Sequence, residues 1–475
     1  MNEATPEIQN PKSKIAIVGS GFLGLTLALR LSEAGNQVTV FESAKEIGGL
    51  ASAWQIGDIT WDKHYHVTLL SDAYTRKIVE EIGLADEFKW VETKTGFYTD
   101  GRLVSMSNTL EFLKFPPLDL LSKLRLGATI FYAARVKDWQ ALEKIPVEDW
   151  LTRLSGKRTF EKMWRPLLKA KLGEAYRETS AAFIWATIQR MYAARNSGLK
   201  KEMFGYVRGG YARVLERFAE HLRAKGVQIR LNERIEKAEK SADGKIEIFP
   251  AKTQKREAAS VPAAIGGGFN GGFQISNLKS EIAEAETRFD SVILTCPSDT
   301  AARIVPQLTP EEKAKLENIK YQGIVCASVL LKKSLSNFYV TNITDETPFT
   351  GIIEMSALVD KAEFGGNTLV YLPKYVAPDD ELFEKTDTEI EEIFLAALEK
   401  MYPHFSREDV LSFKISRVRR VFPIPTINYS ENLPAVKTSL ENVYIVNSAQ
   451  ITNGTLNINE TVQLAEKFIS QELHK

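Results

Sequence analysis

The chain has 475 residues, with 61 Lys+Arg against 61 Asp+Glu, 44% hydrophobic residues and 26% charged ones. That length holds two or three domains of ordinary globular composition, and a formal net charge of zero removes any global electrostatic case for nucleic acid. Cys296 and Cys326 are isolated, without a C-x-x-C or a secreted disulfide pattern, so a cytoplasmic, reducing location is expected.

Residues 1–13 are polar, carry Pro6 and Pro11, lack the apolar core of a signal peptide, and read as a loose tail. Ile15, Ala16, Ile17 and Val18 then form a continuous apolar run, the pattern of a parallel strand buried on both faces. Gly19-Ser20-Gly21-Phe22-Leu23-Gly24 supplies G-x-G-x-x-G: a tight turn, a close backbone approach to a pyrophosphate, and a helix lying tight on its strand. The helix runs to Gly35, and residues 37–41 form a second strand with Glu42 at its end. A carboxylate there accepts both hydroxyls of an adenosine ribose and repels a 2′-phosphate, which disfavours NADP. Gly48-Gly49-Leu50-Ala51 brings the backbone close to a ligand again, as a cofactor extending further along the sheet requires.

The stretch DITWDKHYHVTLLSD holds His64 and His66, whose i, i+2 spacing puts both on one face of an extended segment. No third ligand is evident nearby, so no metal site is expected. Residues 71–205 read as mostly helical. Within them, residues 124–136 (LRLGATIFYAARV) fit a helix buried in a substrate domain better than one lying on a membrane surface, and no stretch is long enough to span a bilayer. In FEKMWRPLLKAKLG, Arg165, Lys169 and Lys171 could bind an anionic group, although a solvated helix face explains the lysines nearly as well.

Gly209-Gly210 opens a helix with Tyr211, Val214, Leu215, Phe218 and Leu222 on one face, followed by a strand at Val227, Ile229 and Leu231 and another beginning at Ile235. Residues 250–286, rich in Gly and Ala, form a low-complexity excursion. A buried strand follows at residues 289–295. Further strands are expected at 323–331, 349–355 and 368–372, and a helix at 389–401. Lys374 and Tyr375 follow one of those strands. The chain closes with a strand at 442–446, a polar loop, and a helix with Ile458, Val462, Ala465 and Ile469 in step, capped by Asn457 or Asn459. The expected architecture is α/β. A discontinuous Rossmann-like nucleotide domain (residues 14–70, 206–300 and 430–475) is interrupted by an α+β substrate domain (residues 71–205 and 301–429).

The segments IVGSGFLGLTLALRLSEAGNQVTVFESAKEIGGLAS, VRGGYARVLERFAEHLRAKGVQIRLNERIEKAE and FDSVILTCPSDTAARIV resemble the flavin-containing amine oxidase superfamily. That superfamily includes protoporphyrinogen oxidases, phytoene-type desaturases, monoamine oxidases and, more distantly, UDP-galactopyranose mutases. The resemblance implies FAD. Gly19, Ser20, Gly21, Phe22, Leu23 and Gly24 would lie at the pyrophosphate, Glu42 with Ser43 at the ribose, and Ile235 at the adenine. Gly48, Gly49, Leu50 and Ala51 would follow the ribityl and flavin side. Asn447 and Ser448 stand where the family usually has Gly-Asp or Gly-Glu, and Gly49-Leu50 where many oxidases have Gly-Arg. The last helix, with Asn459 near its start, would aim its positive end at the flavin.

The same resemblance brings His66 to the flavin-facing element, Trp164 and Arg165 to a substrate-binding element, and Lys374 to a water beside flavin N5, with Tyr375 next to it. It implies an FAD-dependent oxidoreductase that oxidises an organic small molecule. The alternatives are a mutase-like non-redox enzyme acting on a nucleotide sugar, and a flavoprotein without turnover.

Overall fold

A computed structural model describes residues 12–195, 203–251 and 287–472. The expected tail lies outside these residues except for Lys12 and Ser13, and so does the excursion except for Pro250 and Ala251.

Five parallel strands form the first sheet, in the order Gln228–Arg230, Gln37–Phe41, Lys14–Val18, Ser291–Leu294, Val443–Ile445. The apolar run at its centre is continuous because both faces are covered. Ile15 and Ile17 join a core with the helices Phe22–Glu33, Gly210–Ala224 and Ile458–Glu472. Ala16 and Val18 point the other way, onto the antiparallel strands Ile235–Lys240 and Ile246–Pro250. Alternation along a strand sends neighbouring residues to opposite faces, so a strand with two covered faces has no polar side.

The second sheet has seven strands, in the order Val410–Pro423, Tyr321–Leu331, Thr368–Val376, Gly351–Glu354, Val340–Ile343, Thr95–Thr99, Arg102–Ser105. One face packs on the helix Asp387–Met401, the other on a layer of helices between residues 120 and 195. Two features differ from the sequence expectation. Residues 71–105 contribute the strands Phe88–Glu92, Thr95–Thr99 and Arg102–Ser105 as well as helix. The long edge strand Val410–Pro423 carries Lys414, Arg417, Arg419 and Arg420, and that charge hides its strand character while blunting an open sheet edge.

A third difference concerns the helix Leu120–Ala133, expected to be buried. Its inward face carries Ser122, Lys123 and Thr129, all buried, together with Leu126 and Ala133. Its outward face carries Leu120, Leu121, Leu124, Phe131 and Tyr132, between 49% and 68% exposed. Lys123 and Thr129 can point inward because each side chain finds a partner: Lys123 donates to the Leu113 carbonyl, and Thr129 donates to the Arg125 carbonyl and accepts from Ser155 Oγ.

A nucleotide cradle and a half-buried lysine–tyrosine chain

The glycine turn joins the end of Lys14–Val18 to the helix Phe22–Glu33. Gly19 adopts φ +111°, a left-handed conformation that side chains disfavour. A Cβ on Gly24 would lie 2.0 Å from the Gly19 carbonyl oxygen, so only glycine lets helix and turn meet. A Cβ on Gly21 would meet nothing within 4 Å, which leaves that side of the turn open. No side chain caps the first turn of this helix. An uncapped helix N-terminus above an open glycine turn fits a pyrophosphate. Phe22 and Leu23 could meet it only through backbone, because their side chains are buried in the core and Phe22 packs edge-on against Tyr211 at 5.5 Å.

Glu42 closes one end of the cradle. One carboxylate oxygen accepts from Ser20 N–H (2.9 Å) and Ser20 Oγ (2.7 Å), the other from Ala44 N–H (2.8 Å) and Ser43 Oγ (3.2 Å). Each oxygen sits among donors, so the carboxylate is fixed in orientation. Backbone bonds from Asn232 to Ala44 and from Glu233 to Glu42 bring the segment before Ile235 alongside. Gly48 donates to the Ser20 carbonyl, and a Cβ on Gly49 would lie 3.4 Å from Gly21 Cα. Gly49, Leu50 and Ala51 continue from there as a single tight turn.

The C-terminal segment is arranged differently from the sequence expectation. Asn447 is buried, and its amide donates to the Cys296 carbonyl (3.0 Å) and Ser298 Oγ (3.2 Å) while accepting from Ala449 N–H. It is a tie between two loops rather than an outward-facing group. Ser448 begins the short turn that follows. Asn457 accepts from Glu460 N–H and caps the last helix. Asn459 is turned to another helix, accepting from Tyr74 and Thr75 N–H at the start of Ala73–Glu81.

The two histidines do not share a face. The strand Ile59–Asp62 ends before them, so period-two alternation no longer holds. His64 is buried, 3.3 Å from Ser416 Oγ, and burial, with His66 and Lys63 nearby, lowers its pKa to about 3. It is neutral at ordinary pH. His66 packs on Tyr211 (5.2 Å between rings), and its Nδ1 lies 3.8 Å from Asp62, buried without a hydrogen-bond partner. Burial raises the pKa of Asp62 against the opposing pull of His66.

Three further expectations are corrected. Trp164 is in the core and donates to Ser155 Oγ at 3.1 Å. Arg165 is half-buried, near Glu148 (3.9 Å) and Glu161 (4.0 Å), and Lys169 is exposed and pairs with Glu174 at 2.6 Å. Lys374 is one residue out of step with the interior: Tyr371 and Tyr375 face the helical layer, whereas Lys374 faces the opposite side and donates to the Thr347 carbonyl.

The inward-turned cation of the helix Arg165–Leu172 is Lys171, half-buried, two residues and about 200° round the helix from Lys169. Its Nζ lies 2.6 Å from Tyr375 OH and 3.8 Å from the centroid of that ring. Tyr375 OH lies 2.9 Å from Tyr65 OH. Burial lowers the pKa of Lys171 to about 7 and raises that of Tyr65 to about 12. A cleft of about 360 Å³ opens where the helix ends, lined by Leu172, Gly173, Tyr321, Gln322 and Ile424 among others. The amide nitrogen of Gln322 is buried there without a partner. Among the described residues no cluster of ligating side chains could hold a metal ion, and no helix is long and apolar enough to cross a membrane.

Residues 24–457 match the family described as flavin-containing amine oxidoreductase. The 15-cis-phytoene desaturase of Capsicum annuum is 21% identical over 422 residues, which span 85% of this chain and 67% of that protein. Among solved structures, putrescine oxidase bound to putrescine has a TM-score of 0.69 at 15% identity, covering 98% of this chain and 99% of its own. Reduced UDP-galactopyranose mutase has a TM-score of 0.68 at 16% identity, covering 97% and 94%. These structural likenesses show a shared fold. With FAD as its cofactor and a match over most of its length, the chain is an FAD-dependent oxidoreductase and belongs to the flavin-containing amine oxidoreductase family.

Proposed function

We propose that the protein oxidises a small organic molecule at a C–N or C–C bond, using the hydride-accepting flavin N5 that FAD supplies when bound. In this reading the glycine turn and Glu42 hold the nucleotide half of the cofactor. Lys171 takes up the proton that the substrate releases. The carrying observation is the 2.6 Å contact between Lys171 and Tyr375, itself linked to Tyr65. An amine with a pKa near 7 is divided between its two protonation states at neutral pH, the condition that suits a general base. Tyr65 and Tyr375 orient that amine and keep the surroundings aromatic. His66, with its unpartnered buried nitrogen, is proposed as a second proton-handling group. The nucleotide-sugar alternative is less favoured, because Arg165 and Lys169, the cations expected to bind its anionic group, already stand beside carboxylates.

The test is rapid-mixing anaerobic flavin reduction, screened over amines, polyprenes, porphyrinogens and nucleotide sugars. Below about pH 7 Lys171 is protonated and cannot accept a proton, so the rate of flavin reduction should climb as pH rises through 7. Lys171→Met should slow reduction by about 10²–10⁴ and flatten that limb, with bound FAD unchanged. An unaltered pH profile in this variant would remove Lys171 from the chemistry.

A further inference from the structure

We infer that the outward face of the helix Leu120–Ala133 docks on an anionic lipid surface. Unlike an ordinary surface helix, this one carries apolar side chains on both faces, with Leu126 and Ala133 packed inward. Its polar Ser122, Lys123 and Thr129 are buried, while Leu120, Leu121, Leu124 and Phe131 are 65%, 68%, 62% and 56% exposed. A helix that only covered a core would place these groups the other way round. The patch continues onto the preceding short helix Thr109–Leu113, where Leu110 is 71% and Leu113 46% exposed. The bond from Lys123 Nζ to the Leu113 carbonyl holds the two helices together as one surface. Exposed apolar side chains so concentrated mark an interaction site rather than ordinary surface scatter.

Charge selects the occupant. Residues 110–137 contain five Lys or Arg and two Asp or Glu, in a chain whose total is balanced. Lys114, Arg125, Arg135 and Lys137 are exposed along the patch. Arg135 lies over the Phe131 ring at 3.2 Å and donates to the Phe131 carbonyl. Arg125 donates to the carbonyls of Arg153 and Leu154. The two acids are engaged: Glu111 by Ser105 and Ser107, and Asp119 by its helix cap and by Arg158 at 3.4 Å. An apolar strip edged with cations matches the boundary between acyl chains and anionic headgroups. A second copy fits less well, because a two-fold interface would set this cationic edge against itself.

The test uses the full FAD-loaded chain and sedimentation with vesicles. The protein should pellet with phosphatidylcholine vesicles containing phosphatidylglycerol, much less with phosphatidylcholine alone, and be released by raised salt. The double variant Leu121→Asp, Leu124→Asp should lower lipid partitioning about tenfold or more, with flavin absorbance and melting temperature retained. Leu124→Ser with Phe131→Ser serves if the aspartates disturb the helix. Leu411→Asp, at an exposed leucine on the edge strand Val410–Pro423, should bind lipid as the parent does. Equal lipid binding by parent and patch variants would overturn the inference, as would no binding to anionic vesicles. A lipid-free dimer that the patch variants convert to monomer would also overturn it, by assigning the face to a second copy.

Discussion

Glu42 illustrates how one side chain can be fixed before any ligand arrives. Four donors from Ser20, Ser43 and Ala44 surround its two oxygens, so little side-chain freedom remains to be lost on binding ribose. Glu42→Ala should weaken FAD binding by about 1.5–3 kcal/mol, read by titrating apoprotein with FAD and following flavin fluorescence. Unchanged affinity would show that the carboxylate serves the turn alone. The unit around the glycine turn and Glu42 was legible in the sequence because it depends on local spacing: strand, turn, helix and strand are contiguous. Lys171 was legible only as one of three cations. What distinguishes it is its angular position on a helix relative to a sheet from a distant part of the chain. Lys374 failed for the corresponding reason: alternation along Thr368–Val376 places it opposite Tyr375. The divergence of His64 and His66 was hidden too, since it depends on where a strand stops.

At the scale of elements, Asn447 ties the strand Val443–Ile445 to the loop after Ser291–Leu294. Both bonds that its nitrogen makes are donations, which a carboxylate cannot make. Asn447→Asp should therefore destabilise the protein by about 1–3 kcal/mol rather than restore a family-like cofactor contact. Thermal melts of the FAD-free protein would check this, since they separate stability from cofactor affinity; an unchanged or raised melting temperature would contradict it. The helix Leu120–Ala133, with its second apolar face turned outward, carries a related lesson. Its apolar periodicity was readable, but periodicity gives a face and not a direction. The direction was decided by partners for Lys123 and Thr129 that lie on other segments or one turn away.

For the molecule as a whole, Arg30 joins the first helix to the last. Its guanidinium lies 3.0 Å from Glu33, 2.8 Å from Glu81 and 2.7 Å from Glu466, with only 12% of its side chain exposed. Arg30→Met would leave three carboxylates clustered without their cation. Because these acids are partly exposed, the expected cost is about 1–3 kcal/mol, below that of a fully buried pair. Chemical denaturation read by tryptophan fluorescence would measure it, and a loss under 0.5 kcal/mol would mean that solvent screens the cluster.

The order of strands in the parallel sheet bears on the life of the chain during synthesis. Lys14–Val18 emerges first, while Val443–Ile445 emerges some 425 residues later (443 minus 18). At about 5–20 residues per second the delay is roughly 20–85 s. Throughout it the sheet lacks an edge strand, and the helix Ile458–Glu472 that covers Ile15 and Ile17 does not yet exist. The nascent chain thus carries a sticky, half-built sheet that favours protection by chaperones.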